Sequence, residues 1–166
     1  MLSFLPKRLY RELTEITPES LTARGIRLLM LDFDNTMVPY TTDEPSAQLL
    51  AWLKQFQHSS VQLCIVSNSK KPRVRAFAQK YGVDCITHAR KPFSSGIRRC
   101  LKQYGCAPEE AALCGDQTYT DVLGANLVGV YSIQVRSIHN HNFLLKLRHA
   151  AELPFLYIAR KRSDIK

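Results

Sequence analysis

Residues 26–36 read IRLLMLDFDNT. An apolar run of strand length ends in two aspartates one residue apart, followed by Asn-Thr. Buried strands seldom finish by bringing two carboxylates together, because like charges repel and desolvation disfavours both. In an extended strand, residues i and i+2 point the same way. Asp32 and Asp34 are therefore expected to face one crevice while Phe33 turns back to the core. Such a pair calls for a proton or a cation, and Mg2+ is the hard, oxygen-liganded ion that suits it best.

Working outward, the apolar segments 26–31, 61–66, 83–87, 110–115 and 128–135 read as strands. Helical stretches lie between them. In 46–57, Leu49, Leu50, Leu53 and Phe56 share one face, Ser46 is a candidate cap, and Trp52 reads as packing. The stretches 73–82 and 93–105 stop at Gly82 and Gly105, and 120–129 reads as a shorter helix. Strands alternating with helices predict an α/β, Rossmann-like parallel sheet of about five strands flanked by helices. Such sheets place ligands beyond the carboxyl ends of their strands. The polar clusters fall at those ends: DFDNT, then SNSKK, HARKP and GDQTYTD. Asp32, Ser67, Lys91 and Asp116 follow one another at intervals of 35, 24 and 25 residues, each about one βα unit. All four clusters can converge on one edge.

There, Asp116 would complete a carboxylate set for Mg2+ with Asp32 and Asp34. Thr36, Ser67 and Asn68 offer short hydrogen-bonding side chains, and Lys91 a fixed positive charge. Carboxylates, a hard metal, hydroxyls and a lysine make a site for moving a phosphoryl group.

DFDNT resembles the DxDxT signature of the haloacid dehalogenase (HAD) phosphohydrolases. SNS resembles their second motif, the lysine of ARKP their third, and GDQTYTD their fourth. With the flanking FLPKRLYRELTEITPESLTARGI, the chain resembles the YqeG-type members of subfamily IIIA over roughly residues 4–155. That resemblance implies Asp32 as a nucleophile forming an aspartyl-phosphate, and Asp34 as the acid and then the base. It implies Mg2+ held by a carboxylate and a main-chain carbonyl of this loop together with Asp116. Ser67 and Lys91 would bind the phosphoryl group, Thr36 and Asn68 would support them, and Asp121 would steady the metal shell or Lys91.

The 166 residues, 45 % of them hydrophobic, suffice for one core, so a single domain over 1–166 is expected, with flanking extensions of roughly 25 residues at each end. Only about 25 residues separate Thr36 from the second strand, and a helix and a strand fill the interval from Ser67 to Lys91. A capless, open site is expected, suited to substrates that bring their own bulk. The five cysteines form no CxxC pair and read as buried thiols of a reducing compartment. Neither a signal peptide nor a run of membrane-spanning length is visible, so a cytoplasmic location is expected, with peripheral contact at the inner membrane face as an extension of it.

The net charge of +9 is uneven: residues 70–102 hold ten Lys/Arg against one Asp, while Asp32, Asp34, Asp116 and Asp121 form an acidic focus. That pattern fits a cation at the centre and an anionic phosphorylated partner from outside. YqeG-type proteins are similar to the mitochondrial and plastid phosphatases acting on phosphatidylglycerophosphate, which implies a lipid headgroup as the substrate. Residues 1–13 and 143–162 mix apolar and basic side chains, as an interfacial segment or an ordinary packed helix would. Three alternatives stay open: a lipid phosphatase, a phosphatase of a soluble metabolite, nucleotide or phosphoprotein, and a non-catalytic RNA- or ribosome-associated module. No RNA-recognition motif supports the last. Lys70, Lys71, Arg73 and Arg75 read as a solvated helix start, and His88, His139 and His141 as loop or surface residues rather than zinc ligands. Oligomeric state is not legible.

Overall fold

The computed structural model describes residues 3–138. The 143–162 stretch, His139 and His141 lie outside the described residues. Six parallel strands form one open sheet: β1 (Arg8–Leu9), β2 (Leu28–Leu31), β3 (Gln62–Val66), β4 (Asp84–Ile86), β5 (Ala111–Gly115) and β6 (Tyr131–Gln134). Their order across the sheet is β1-β6-β5-β2-β3-β4. The α/β expectation holds, with one strand more than the sequence indicated. β1 is two residues long, too short to leave an alternation, and it exists by pairing with Ile133 and Gln134 of β6.

β2 is buried on both faces, which is why it reads as an uninterrupted apolar run. Its alternate side chains enter two cores: Leu29 and Leu31 pack on one face, Leu28 and Met30 on the other. The first core is closed by α2 (Ala47–Gln57) and α3 (Arg73–Tyr81) through Leu49, Trp52, Leu53, Phe56, Val74 and Phe77. The second is closed by α4 (Ser95–Tyr104) and α5 (Leu123–Val128) through Ile97, Cys100, Leu101, Ala125 and Val128. Each of the Leu, Ile, Val and Phe side chains among them contributes about 1.5–3 kcal/mol on burial. The first core also receives the short helix α1 (Pro18–Thr22), whose N-terminus Thr17 caps by accepting from the Ser20 amide. The Trp52 indole N–H donates to the Ile16 carbonyl at 2.6 Å, so its one polar atom is satisfied inside the core.

Helix boundaries follow the expected chemistry. Ser46 accepts from the Leu49 amide, and α3 and α4 end at Gly82 and Gly105 in left-handed conformation. The stretch after β5 does not start as an α-helix: Thr118–Val122 is a π-helical turn that leads into α5. Cys64, Cys100 and Cys114 are buried, and all five cysteines are free thiols. Among the described residues, no helix is long and apolar enough to cross a membrane.

Leu31 of β2 is level with Ile65 of β3 and Cys114 of β5. The next residues of the three strands therefore emerge side by side, with the Asp32 amide still donating to Cys114 O at 2.8 Å. β3 and β4 lie to one side of β2, β5 and β6 to the other. The point where strand order reverses is thus the carboxyl end of β2, where the Asp32 loop begins. Between Thr36 and α2 the described chain has no helix or strand, and between β3 and β4 it has only α3.

Candidate active site

The chain leaves β2 through a tight turn. Phe33 is buried and Asn35 has a φ of 61°, left-handed geometry that Asn tolerates better than most residues. The Asn35 amide donates to Val38 O, and its side-chain oxygen accepts from the Tyr40 amide, so one residue shapes the whole loop. Asp32 and Asp34 emerge from this turn rather than from continuing strand, and their surroundings differ. The Asp32 side chain is 10 % exposed, whereas the Asp34 side chain retains 21 % and points to Arg73.

Lys91 lies at the heart of the site. Its Nζ stands 2.6 Å from Asp32 Oδ1 and 2.7 Å from Asp121 Oδ1, with the side chain 1 % exposed. Its backbone is clasped by Asn68: the Asn68 amide group donates to Lys91 O at 2.9 Å, and Asn68 Oδ1 accepts from the Lys91 amide at 2.7 Å. Ser67 is buried at the end of β3, its hydroxyl accepting from the Ser69 amide. Thr36 Oγ1 lies 3.5 Å from Asp32 Oδ2 and 3.4 Å from Asp116 Oδ1, long enough that both are weak hydrogen bonds.

Asp116 and Asp121 come from the loop after β5. The π turn carries Asp121 back under the strand end, where its Oδ2 accepts from the Gln117 amide. This return passes so close to Gly115 that an added Cβ would stand 2.3 Å from the Asp121 carboxyl carbon. Gly96 plays the same part below Lys91: a Cβ there would meet Ala89 backbone at 2.5 Å, so α4 could not reach the loop that carries the lysine. Gln134 of β6 donates to Asp116 O at 3.3 Å and to Thr118 Oγ1 at 3.0 Å, fixing the Asp116 loop from below.

Asp32, Asp116 and Asp121 each offer an oxygen within 4.8 Å of the others. One ammonium cannot neutralise three buried carboxylates, and the titration of the group reflects this. Burial pushes Lys91 down, but Asp121 and Asp32 together outweigh it and hold the lysine above its ordinary range. Burial drives Asp32 up to about 6 against the pull of Lys91, with Asp121 and Asp34 adding to the rise. Asp116 is pushed well above the carboxylate range, first by burial and then by Asp32 and Asp121. The lysine therefore stays charged, and Asp32 and Asp116 hold protons more tightly than free carboxyls because one cation does not serve all three. A buried, all-oxygen cluster short of positive charge is what a hard divalent cation fits.

The expected site residues thus gather at one edge: Asp32, Thr36, Ser67, Asn68, Lys91, Asp116 and Asp121. Asp34 joins them through the chain, but its carboxylate belongs to a separate contact with Arg73 and lies outside the three-carboxylate group. Burial raises its affinity for a proton, and the Arg73 guanidinium works in the opposite direction. Sequence reasoning missed two participants. Arg73 was read as part of a solvated helix start, whereas its side chain is 10 % exposed and ion-paired. Gln134 left only one trace, a long polar residue near the end of a strand that also carries Ser132.

Solved structures of similar fold define the class. The chain matches a HAD-family hydrolase of Streptomyces avermitilis with a TM-score of 0.57 at 20 % identity, over 75 % of this chain and 72 % of that one. It matches the cobalt-bound deoxy-D-mannose-octulosonate 8-phosphate phosphatase of Haemophilus influenzae with a TM-score of 0.53 at 13 % identity, over 68 % and 69 %. The fold is that of the HAD hydrolases. Within that class, the family model described as mitochondrial PGP phosphatase matches residues 2–138, and the chain belongs to this phosphatase family. The chain is also 29 % identical over 163 residues to the probable phosphatase YqeG of Bacillus subtilis, covering 98 % of this chain and 95 % of that one. The resemblance read from the four motifs is borne out.

Proposed function

We propose that the protein hydrolyses a phosphomonoester in two steps at Asp32, with Mg2+, and that its substrate is phosphatidylglycerophosphate. The observation that carries the reaction is the Asp32–Lys91–Asp121 arrangement at 2.6 and 2.7 Å, with Asp116 adding a further carboxylate beside it. It supplies a carboxylate nucleophile held by a cation that does not need to move.

In the first step Asp32 attacks phosphorus, the bond to the leaving oxygen breaks, and Asp34 gives that oxygen its proton. In the second step Asp34 takes a proton from water, whose oxygen attacks the aspartyl-phosphate. Inorganic phosphate leaves and Asp32 is regenerated. Asp34, the more exposed of the two acids, is the one that water and a leaving group can reach. Lys91 and Ser67 bind the phosphoryl oxygens, Thr36 assists, Asn68 fixes the Lys91 backbone, and Asp121 keeps the ammonium in place. Asp32 and Asp116, with a main-chain carbonyl of the loop after β2, would hold Mg2+, which when bound would supply positive charge for phosphoryl transfer.

The lipid reading is supported by the family and by the mouth of the site. The loops that carry the catalytic residues expose Tyr40 at 53 % and Phe93 at 74 %, two residues after Lys91, beside the exposed cations Lys70, Lys71 and Arg90. Aromatic side chains among cations suit an anionic headgroup set in an apolar neighbourhood. No helix or strand between Thr36 and α2 covers this entrance. Phosphate release from phosphatidylglycerophosphate in mixed micelles and from a soluble phosphomonoester panel, with Mg2+ or EDTA, tests the reading. Mg2+-dependent release from the lipid, lost in Asp32→Asn, is the expected result. Release from soluble esters alone would sink the lipid substrate and keep the chemistry, and equal activity of Asp32→Asn would sink both.

A further inference from the structure

Arg73, the first residue of α3, stands on the loop that follows the two aspartates. Its Nη1 donates to Asp34 Oδ1 at 2.7 Å and to Tyr40 O at 3.0 Å. Nη2 donates to Pro39 O at 3.2 Å and Thr42 O at 2.6 Å, and Nε donates to Asp43 Oδ1 at 2.5 Å. The guanidinium lies over the Phe33 ring, 5.1 Å from its centroid, with the Tyr40 ring at 5.7 Å. An arginine has five N–H donors in a fixed fork, and here each has an acceptor. None is left for a phosphate, so Arg73 is not a substrate-binding cation. What it holds is the 39–43 loop, which has no helix or strand of its own, and the Asp34 carboxylate within the same fork.

We infer that Arg73 is the positioning residue for Asp34: it fixes the direction in which this carboxyl group meets the leaving oxygen. The inference rests on the reading above, in which Asp34 is the proton donor. A lysine could keep the charge but not the geometry, because its ammonium has three donors on a flexible stem and cannot serve carboxylate and loop carbonyls together. In an enzyme with a covering domain, other parts can order this loop. Here Arg73 makes most of the contacts to the loop, with Asn35 and Lys71 adding one hydrogen bond each at Tyr40, and its own five hydrogen bonds go to neither Asp32 nor Lys91.

The test is a leaving-group comparison by kcat/KM, which reports the first phosphoryl transfer. The substrates are p-nitrophenyl phosphate, whose leaving group departs without a proton, and two alkyl esters that need one: glycerol 3-phosphate and micellar phosphatidylglycerophosphate. Misplaced general acids lose on the order of 10²-fold. Arg73→Lys should therefore lose about 10²-fold on the alkyl esters and at least about tenfold less than that on p-nitrophenyl phosphate. Asp34→Asn should show the same selectivity, and the Arg73→Lys/Asp34→Asn double variant should be no worse on alkyl esters than Asp34→Asn alone. Asp43→Asn, which releases one of the five contacts at an exposed carboxylate, should show a smaller loss in the same direction and serves if Arg73→Lys does not fold. Equal losses on both ester types, or additive losses in the double variant, would overturn the inference while leaving the phosphatase reading intact. A wild-type protein inactive on all three, or an Asp34→Asn variant with no leaving-group selectivity, would remove the reading itself and the inference with it.

Discussion

Replacing Lys91 by Met removes the cation between Asp32 and Asp121 while nearly keeping the volume of the stem. The variant is left with three buried carboxylates and no counter-charge among them. Breaking a buried ion pair by deleting one partner costs about 3–5 kcal/mol. Protonation sets an independent ceiling. Holding an aspartate of ordinary pKa near 3.9 in its neutral form costs about 5 kcal/mol at about pH 7.5 but only about 1.5 kcal/mol at about pH 5. The sign follows from the direction of the shift: a carboxyl raised in the folded state weakens the fold only once the pH exceeds its ordinary pKa, and more as the pH rises. Lys91→Met should therefore lose about 3–5 kcal/mol near pH 7.5, a fall in Tm of roughly 6–20 °C, and far less near pH 5. Urea and thermal unfolding in EDTA, at both pH values, measure it. Wild-type stability at the higher pH, or a deficit independent of pH, would refute the view that Lys91 and its carboxylates form one electrostatic unit.

Two other measurements probe the same edge. Mg2+ should raise the Tm of the wild-type protein more at about pH 7.5 than at about pH 5, because burial raises Asp32 to about 6 and also pushes Asp116 up, so protons compete more strongly with the ion at the lower pH; Asp116→Asn should reduce the increment, as read by differential scanning fluorimetry against EDTA. Gly115→Ala should lose about 1–3 kcal/mol by overpacking and should also lower turnover, since the methyl group would displace Asp121 and with it the Lys91 ammonium; a stable, fully active variant would show that the close approach at Gly115 is not needed.

What the sequence disclosed and what it concealed divide along physical lines. β2 announces itself because burial on both faces demands an unbroken apolar run, and the aspartates that end it stand out against that run. The same logic exposed Ser67 and Asp116, each one residue beyond a strand end, whereas Lys91, five residues past β4 in a basic segment, was legible only by its place before Pro92 and the family pattern. Arg73 stayed hidden because a basic residue at a helix start looks the same whether water or five acceptors surround it. Which case applies depends on the path of the 39–43 loop, which no periodicity encodes. Asp121 was legible as part of a motif, but its route to Lys91 depends on the π turn and on the room left at Gly115. β1 was illegible because two residues carry no pattern; it is a strand only because β6 offers an edge.

The reciprocal bonds between Asn68 and the Lys91 backbone have a consequence for entropy. A side-chain amide that donates to one backbone group and accepts from its neighbour imitates a strand, so it extends the β3–β4 ladder past the point where the strands themselves stop. Together with the backbone bonds from Ala89 N to Ser67 O and from His88 N to Ser69 O, it joins the two loops as one body before any ligand arrives. Their conformational freedom is surrendered when the chain folds and need not be surrendered again on binding. The part of the ordering cost that falls on these two loops is thus met in folding, whatever ligand the site takes.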